Sequence, residues 1–237
     1  VLNRIGWLLR DAGYTDEATK TWQISATLAE PGEANFDTSI VYLAHYGKSL
    51  YRKKEWEKAA AIAEVNTQFL MRGRSSSGVV SLLRARFYAE FCQGMHLIQS
   101  GQKSKGISKL NACRKLIPGD GLLADEFFPE LRKLEAESGI GKNYDAWFEE
   151  SYRHVEKACK LYPKSHNSHN TAAWLASRAL RRLDEAEKHS AAALKERPTQ
   201  GAYLDTMAEV WFARGNRKKA VEWSNKAVAG SITSAQG

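Results

Sequence analysis

The clearest alternation of apolar and polar positions lies near the end of the chain, from Gly201 to Val228. Leu204, Met207, Ala208 and Trp211 recur at i, i+3, i+4 and i+7, the spacing of one helix face. An Arg214-Gly215-Asn216 turn follows, and beyond it Ala220, Ser224 and Ala227 repeat at helical spacing. Small residues fall where two helices would cross, and large ones surround them. Such a hairpin cannot bury its apolar face alone, so neighbours of the same kind are expected upstream.

They are there. In the first 29 residues Leu2, Ile5, Gly6 and Leu9 share a face, Asp11 to Tyr14 stops the helix, and Thr15 is read as the N-cap of a second helix. Asp16 and Glu17 in its first turn oppose the helix dipole favourably, and Ala18, Trp22 and Ser25 point inward. After a polar connection from Pro31 to Phe36, Ile40 to Arg52 presents Leu43, Tyr46, Gly47 and Leu50, and Trp56 to Leu70 answers with Ala59, Ala63 and Asn66. Met71 to Gly78, MRGRSSSG, reads as a flexible loop or a bend between two halves.

Val79 to Ser100 is apolar on more than one side; Gly101 ends it, and Ser104 is expected to cap a helix carrying Ile107, Leu110 and Cys113. A Pro118-Gly119-Asp120-Gly121 turn introduces a looser unit over 122–163, with a helix interrupted near Pro129, a break at Ser138 to Gly141, and a partner helix from Tyr144 to Leu161. A fifth unit spans Ser165 to Pro198, with Ala173, Trp174 and Ser177 on one helix and Ala186, Ser190 and Ala193 on the other. From Arg181 to Gly215, taken as equivalent turn positions, the step is 215 − 181 = 34 residues.

That step and those residues resemble the tetratricopeptide repeat family. Small residues stand at the family's eighth, twentieth and twenty-seventh places (Gly6, Gly47, Gly94 and Ala208; Ala18, Ala59, Gly106, Ala186 and Ala220; Ala193 and Ala227), glycine stands at the fifteenth (Gly13, Gly101, Gly215), and proline near the thirty-second (Pro118, Pro198). Departures are Lys54 and Arg181 where glycine is usual, and Trp174 where a small residue is usual. The resemblance implies an all-α fold, a right-handed α-α superhelix of about five to six helix hairpins. Residues 1–237 then form one array, with a bend at 71–78 and a degenerate unit at 122–163.

The resemblance also implies a concave surface lined by the first helix of each hairpin. On it fall Trp7, Lys48, Tyr51, Arg52, Tyr88, Phe91, Met95 and Arg178, an aromatic middle flanked by cations. A peptide would set apolar anchors against Tyr88, Phe91 and Met95, and acidic groups near Lys48, Arg52 and Arg178. The alternative is that Phe91 and Met95 pack against a neighbouring helix or the 72–78 loop. The carboxylate clamp of chaperone-binding members is not visible, because Trp7 and Ala44 hold places where it needs polar residues.

Composition narrows the picture further. Thirty-five Lys and Arg against 27 Asp and Glu leave a net charge of +8, which suits nucleic acid, acidic peptides or simply a solvated helical surface. Arg72, Arg74, Arg84, Arg86 and the stretch from Arg178 to Arg182 are the residues a nucleic-acid binder would use, and this is the second functional reading. Cys92, Cys113 and Cys159 are distant and odd in number, so no disulfide framework or CxxC ligand pair is formed. His166 and His169 give an HxxH spacing that reads as a capping turn, and His45, His96, His154 and His189 are isolated on amphipathic helices, so neither a metal nor a cofactor is implied. No nucleophile, zincin or phosphate-loop motif occurs.

The expected function is therefore a non-enzymatic, protein- or peptide-binding scaffold; a third alternative is the accessory region of a larger enzyme. No apolar run approaches the roughly 20 residues that span a bilayer, which points to a soluble chain with the cytoplasm favoured; trimming or truncation ahead of Val1 is left open. Val221, Trp223 and Val228 lie where a following repeat would pack, a second face for a partner or for self-association.

Overall fold

The computed structural model describes residues 2–28, 36–72, 78–138 and 140–234, and every regular element among them is a helix. Six helix pairs follow in order: α1 (Leu2–Asp11) with α2 (Thr15–Thr27), α3 (Phe36–Arg52) with α4 (Trp56–Arg72), α5 (Gly78–Gln99) with α6 (Lys103–Leu116), α7 (Phe128–Ser138) with α8 (Gly141–Leu161), α9 (His166–Ala179) with α10 (Leu183–Glu196), and α11 (Gly201–Ala213) with α12 (Arg217–Ser234). They divide into two compact units, Val1–Ile117 with the first three pairs and Pro118–Gly237 with the rest. Within each unit, consecutive helices pack on one another. The chain is thus an all-α array of hairpins resembling tetratricopeptide repeats. None of its described helices is long and apolar enough to cross a membrane. Residues 73–77, the middle of the expected bend, lie outside the described residues.

Four first helices end in the same turn. The Gly13 N–H donates to Arg10 O at 2.9 Å and the Tyr14 N–H to Leu9 O at 2.8 Å, and the same two bonds recur at Lys54 and Glu55, at Gly101 and Gln102, and at Gly215 and Asn216. This pair of bonds is the Schellman C-cap, whose first residue takes a positive φ. Glycine supplies it at 13, 101 and 215, with φ of 88, 83 and 79°, but Lys54 adopts φ 58° in the same role. A left-handed L residue costs about 1–2 kcal/mol, so the turn geometry is kept where its usual residue is not.

The fifth hairpin corrects the expected register. Its left-handed cap is Leu180, φ 54°, whose N–H meets Ser177 O at 3.1 Å while the Arg181 N–H meets Ala176 O at 3.0 Å. Cap to cap, the step to Gly215 is 215 − 180 = 35 residues, whereas between the second helices Ala186 to Ala220 is 220 − 186 = 34. One residue is inserted in the turn, and Arg182, at φ 48°, absorbs it. Seven residues before Leu180 stands Ala173, just as Gly6, Gly47, Gly94 and Ala208 stand seven before their caps. Ala173 is fully buried and holds the small place that the 34-residue step assigned to Trp174.

The second helices repeat equally closely. Ala18, Ala59, Gly106, Ala186 and Ala220 are each the fourth residue of their helix, and all are buried. In the third hairpin the two backbones nearly touch: a Cβ on Gly106 would lie 2.7 Å from Gly94 O and 3.0 Å from Ile98 N. In the first, a Cβ on Gly6 would strike the Trp22 indole at 2.3 Å.

Other expectations shift for local reasons. Thr15 and Ser104 are not caps; the caps are Tyr14 and Gln102, without side-chain bonds, because the Schellman turn delivers its second residue directly into the next helix. Ser165, outside such a turn, does cap α9, its Oγ accepting from the Ser168 N–H at 3.3 Å. The break expected at Pro129 is a π-turn over Leu123–Phe127 that runs into α7. Pro129 has no N–H for the carbonyl four residues back, and the preceding turn widens. The last helix continues to Ser234.

Two substitutions test the shared geometry in denaturant unfolding. Gly106→Ala forces the α5 and α6 backbones apart and is expected to lower the stability of the first unit by about 1–3 kcal/mol. Lys54→Gly relieves the left-handed strain against a smaller gain in unfolded-chain entropy, and is expected to raise stability by up to about 1 kcal/mol.

Candidate partner-binding face

The first unit brings cations and aromatic rings together across α1 and α3. Trp7 on α1 is half-buried, and the Arg10 guanidinium, one turn on, lies 3.9 Å from its ring centroid. His45 on α3 meets the Trp7 ring edge-on at 4.9 Å and stacks on Trp22 at 5.7 Å. Lys48 and Arg52 follow His45 at i+3 and i+7, and both are exposed. Burial pushes the His45 pKa below its ordinary value, and the charges of Arg10, Lys48 and Arg52 push it further. Cations from two helices thus act on one imidazole that is packed against two indoles. Arg10 also pairs with Asp11 at 2.5 Å.

Of the sequence-predicted groove residues, Trp7 packs on His45, and Lys48 and Arg52 follow His45 along α3. Tyr51, Phe91 and Met95 do not serve as groove lining. Phe91 is 0% exposed, stacked on Phe87 at 5.6 Å and packed against Tyr51 and Trp56 at 5.9 and 6.3 Å; Tyr51 and Met95 are buried as well. α5 is apolar on more than one side because α4 and α6 both pack on it. Tyr88 is half-buried, edge-on to Tyr51 at 5.7 Å. Arg178 belongs to the second unit, where it pairs with Glu209 at 2.8 Å. The residue missed was His45. Its signal was its spacing from Lys48 and Arg52 on one helix, which means little until α1 supplies Trp7 and Arg10.

Four of the arginines expected to hold phosphates, Arg86, Arg178, Arg181 and Arg182, are engaged with carboxylates. Arg86 bonds Glu90 at 2.7 Å, Arg181 bonds Asp145 at 2.7 Å, and Arg182 holds both oxygens of Glu149 at 3.0 and 2.7 Å. Arg74 lies outside the described residues. On α12, Val221 and Val228 are exposed, while Trp223 packs on the cluster of Ala193, Tyr203, Met207 and Ala227. Between α4 and α5 an open cleft of about 410 Å³ is lined by Glu57, Ala60, Ala61, Glu64, Ala89, Gln93 and His96.

The histidines of the HxxH spacing diverge. His166 Nδ1 bonds the Tyr203 hydroxyl at 2.6 Å, and His169 Nδ1 faces His189 Nδ1 at 2.7 Å, with the Cys159 thiol close by. His189 is therefore not isolated, because the α9–α10 hairpin folds it onto His169.

No protein family matches the sequence, and no curated protein does. Among solved structures, BtubC from P. vanneervenii is 14% identical, over 93% of this chain and 92% of that one, with a TM-score of 0.43. YrrB, described as a TPR protein with an unusual peptide-binding site, is 15% identical over 85% and 93%, with a TM-score of 0.33. MamA from Desulfovibrio magneticus RS-1 is 11% identical over 82% and 96%, with a TM-score of 0.36. These likenesses are distant and say nothing of what this chain binds.

The depressed His45 pKa gives a directional test. The unfolded chain takes up this proton near 6.5, while the folded chain resists it to lower pH. The group's contribution to stability is complete above 6.5 and is lost as pH falls through the folded value. NMR titration is expected to place the His45 midpoint below 6.5, and the Lys48→Glu, Arg52→Glu double variant to move it upward.

Proposed function

We propose that the chain is a non-catalytic scaffold that binds an acidic protein or peptide segment on the α1–α3 face of its first unit. The supporting observation is the convergence of Arg10, Lys48 and Arg52 on His45 beside the half-exposed Trp7. The indole and imidazole offer a rigid surface for an apolar side chain, and ordering them costs little because both are already packed. The surrounding cations are placed to steer carboxylates onto that surface, speeding encounter more than deepening affinity. α1 and α3 are first helices of their hairpins, the helices that the tetratricopeptide resemblance assigns to binding. Arg10, like Arg86, Arg178, Arg181 and Arg182, has an acidic neighbour, so what favours a protein segment over a phosphate backbone is the ring surface of Trp7 and His45.

Affinity capture with wild-type and Lys48→Glu, Arg52→Glu proteins, quantified by mass spectrometry with a duplex-DNA competitor in a parallel arm, checks the proposal. Loss of a set of acidic partners in the double variant, with no effect of the competitor, is expected. An unchanged partner set would remove this face from consideration. Phe91→Ala does not serve the purpose, because truncating a fully buried phenylalanine costs about 3–5 kcal/mol of stability.

A further inference from the structure

The second unit gathers three metal-ligating side chains that are far apart on the helices that carry them. Cys159 lies in the last turn of α8, His169 in the first turn of α9 and His189 midway along α10, and one ligand atom from each lies within 4.8 Å of the others. Cys159 is buried and the two imidazoles are half-buried, so an ion can enter from solvent. His169 also sits eleven residues before the Leu180 cap, the place held by Leu2, Leu43 and Leu204 in three other hairpins. A polar ring has replaced an apolar core residue, and the ring it meets is a second histidine.

The hydrogen bonds define the protonation states. His169 Nε2 lies 3.0 Å from Pro163 O, which only accepts, so Nε2 carries a proton and Nδ1 is the nitrogen left to offer a lone pair to an ion. With that lone pair facing it at 2.7 Å, His189 Nδ1 is the donor. A backbone carbonyl on the far nitrogen is the usual support of a metal-bound imidazole, fixing its tautomer and orientation.

We propose that Cys159, His169 and His189 form a site for a borderline-soft divalent cation, Zn²⁺ foremost, that ties the end of α8 to the α9–α10 hairpin. The ion takes the place of the proton between the two Nδ1 atoms. His189 keeps that proton on Nε2, and Cys159 releases its own to solvent and binds as thiolate, so one proton leaves per ion. With Zn–N of about 2.0–2.1 Å, tetrahedral ligation separates the two nitrogens by about 3.3 Å, so the rings part by about 0.6 Å from their present contact. Water fills the fourth position. Glu156 and Glu185, whose charges reach His189, add negative potential around the cation.

Titration of the full chain with Zn²⁺ alone by calorimetry, and with Co²⁺ as spectroscopic probe, tests the site. One ion per chain is expected, with the thiolate-to-cobalt charge-transfer band of a tetrahedral complex and a rise in Tm. Cys159→Ser removes the band. His189→Asn weakens affinity by more than about tenfold, and His166→Ala, which alters only the bond to Tyr203, leaves both unchanged. Far-UV circular dichroism on each variant separates lost binding from lost folding. No saturable binding, or binding that survives both Cys159→Ser and His189→Asn in folded protein, would overturn the proposal.

Discussion

Two helices approach only as closely as the residues at their crossing permit, and the rest of this structure depends on that limit. Each regular hairpin places a small residue on its first helix seven positions before the cap and another at the fourth position of its second helix. At Gly94 and Gly106 the approach is so close that backbone meets backbone. Where alanine suffices, as at Ala173 and Ala186, both residues are fully buried. The left-handed caps complete the constraint, because they reverse the chain in two or three residues and leave little freedom in how the second helix returns.

That constraint decides which residues face solvent. With Leu43 and Leu50 turned inward from α3, Ala44, Lys48 and Arg52 are turned outward. The packing of α1 on α2 likewise aims Trp7 toward Trp22 and His45 and carries Arg10 over its ring. The cationic face is therefore a by-product of helix rotation, set by crossings that bear no charge. In the second unit, His169 falls in an apolar register counted back from the Leu180 cap, and a buried thiol from α8 completes the cluster.

Much of this was legible in the order of residues. Helix existence, pairing and most crossing positions follow from periodicity, since apolar spacing is a local property of the helix. The misplacement of Ala173 came from treating Arg181 as the turn residue. Glycine marks the left-handed position only where glycine is used, and Leu180 adopts it unannounced. The repeat leaves Phe91 either a groove anchor or a packing residue against a neighbouring helix, and helices on two sides of α5 enclose it; enclosure is a tertiary fact. His45 and His189 each looked solitary for the same reason: their partners arrive from other helices.

Equilibrium denaturation of Ala173→Leu beside Trp174→Ala tests the crossing most directly. The account predicts that leucine at 173 overpacks the α9–α10 crossing and lowers stability by about 1–3 kcal/mol or more. Alanine at 174 leaves that crossing intact and loses the half-buried indole's bond to Asp125, at 2.6 Å, and its contact with Arg178, and is expected to cost less. A stable Ala173→Leu protein beside a severely destabilised Trp174→Ala protein would place the crossing one residue later and contradict the account.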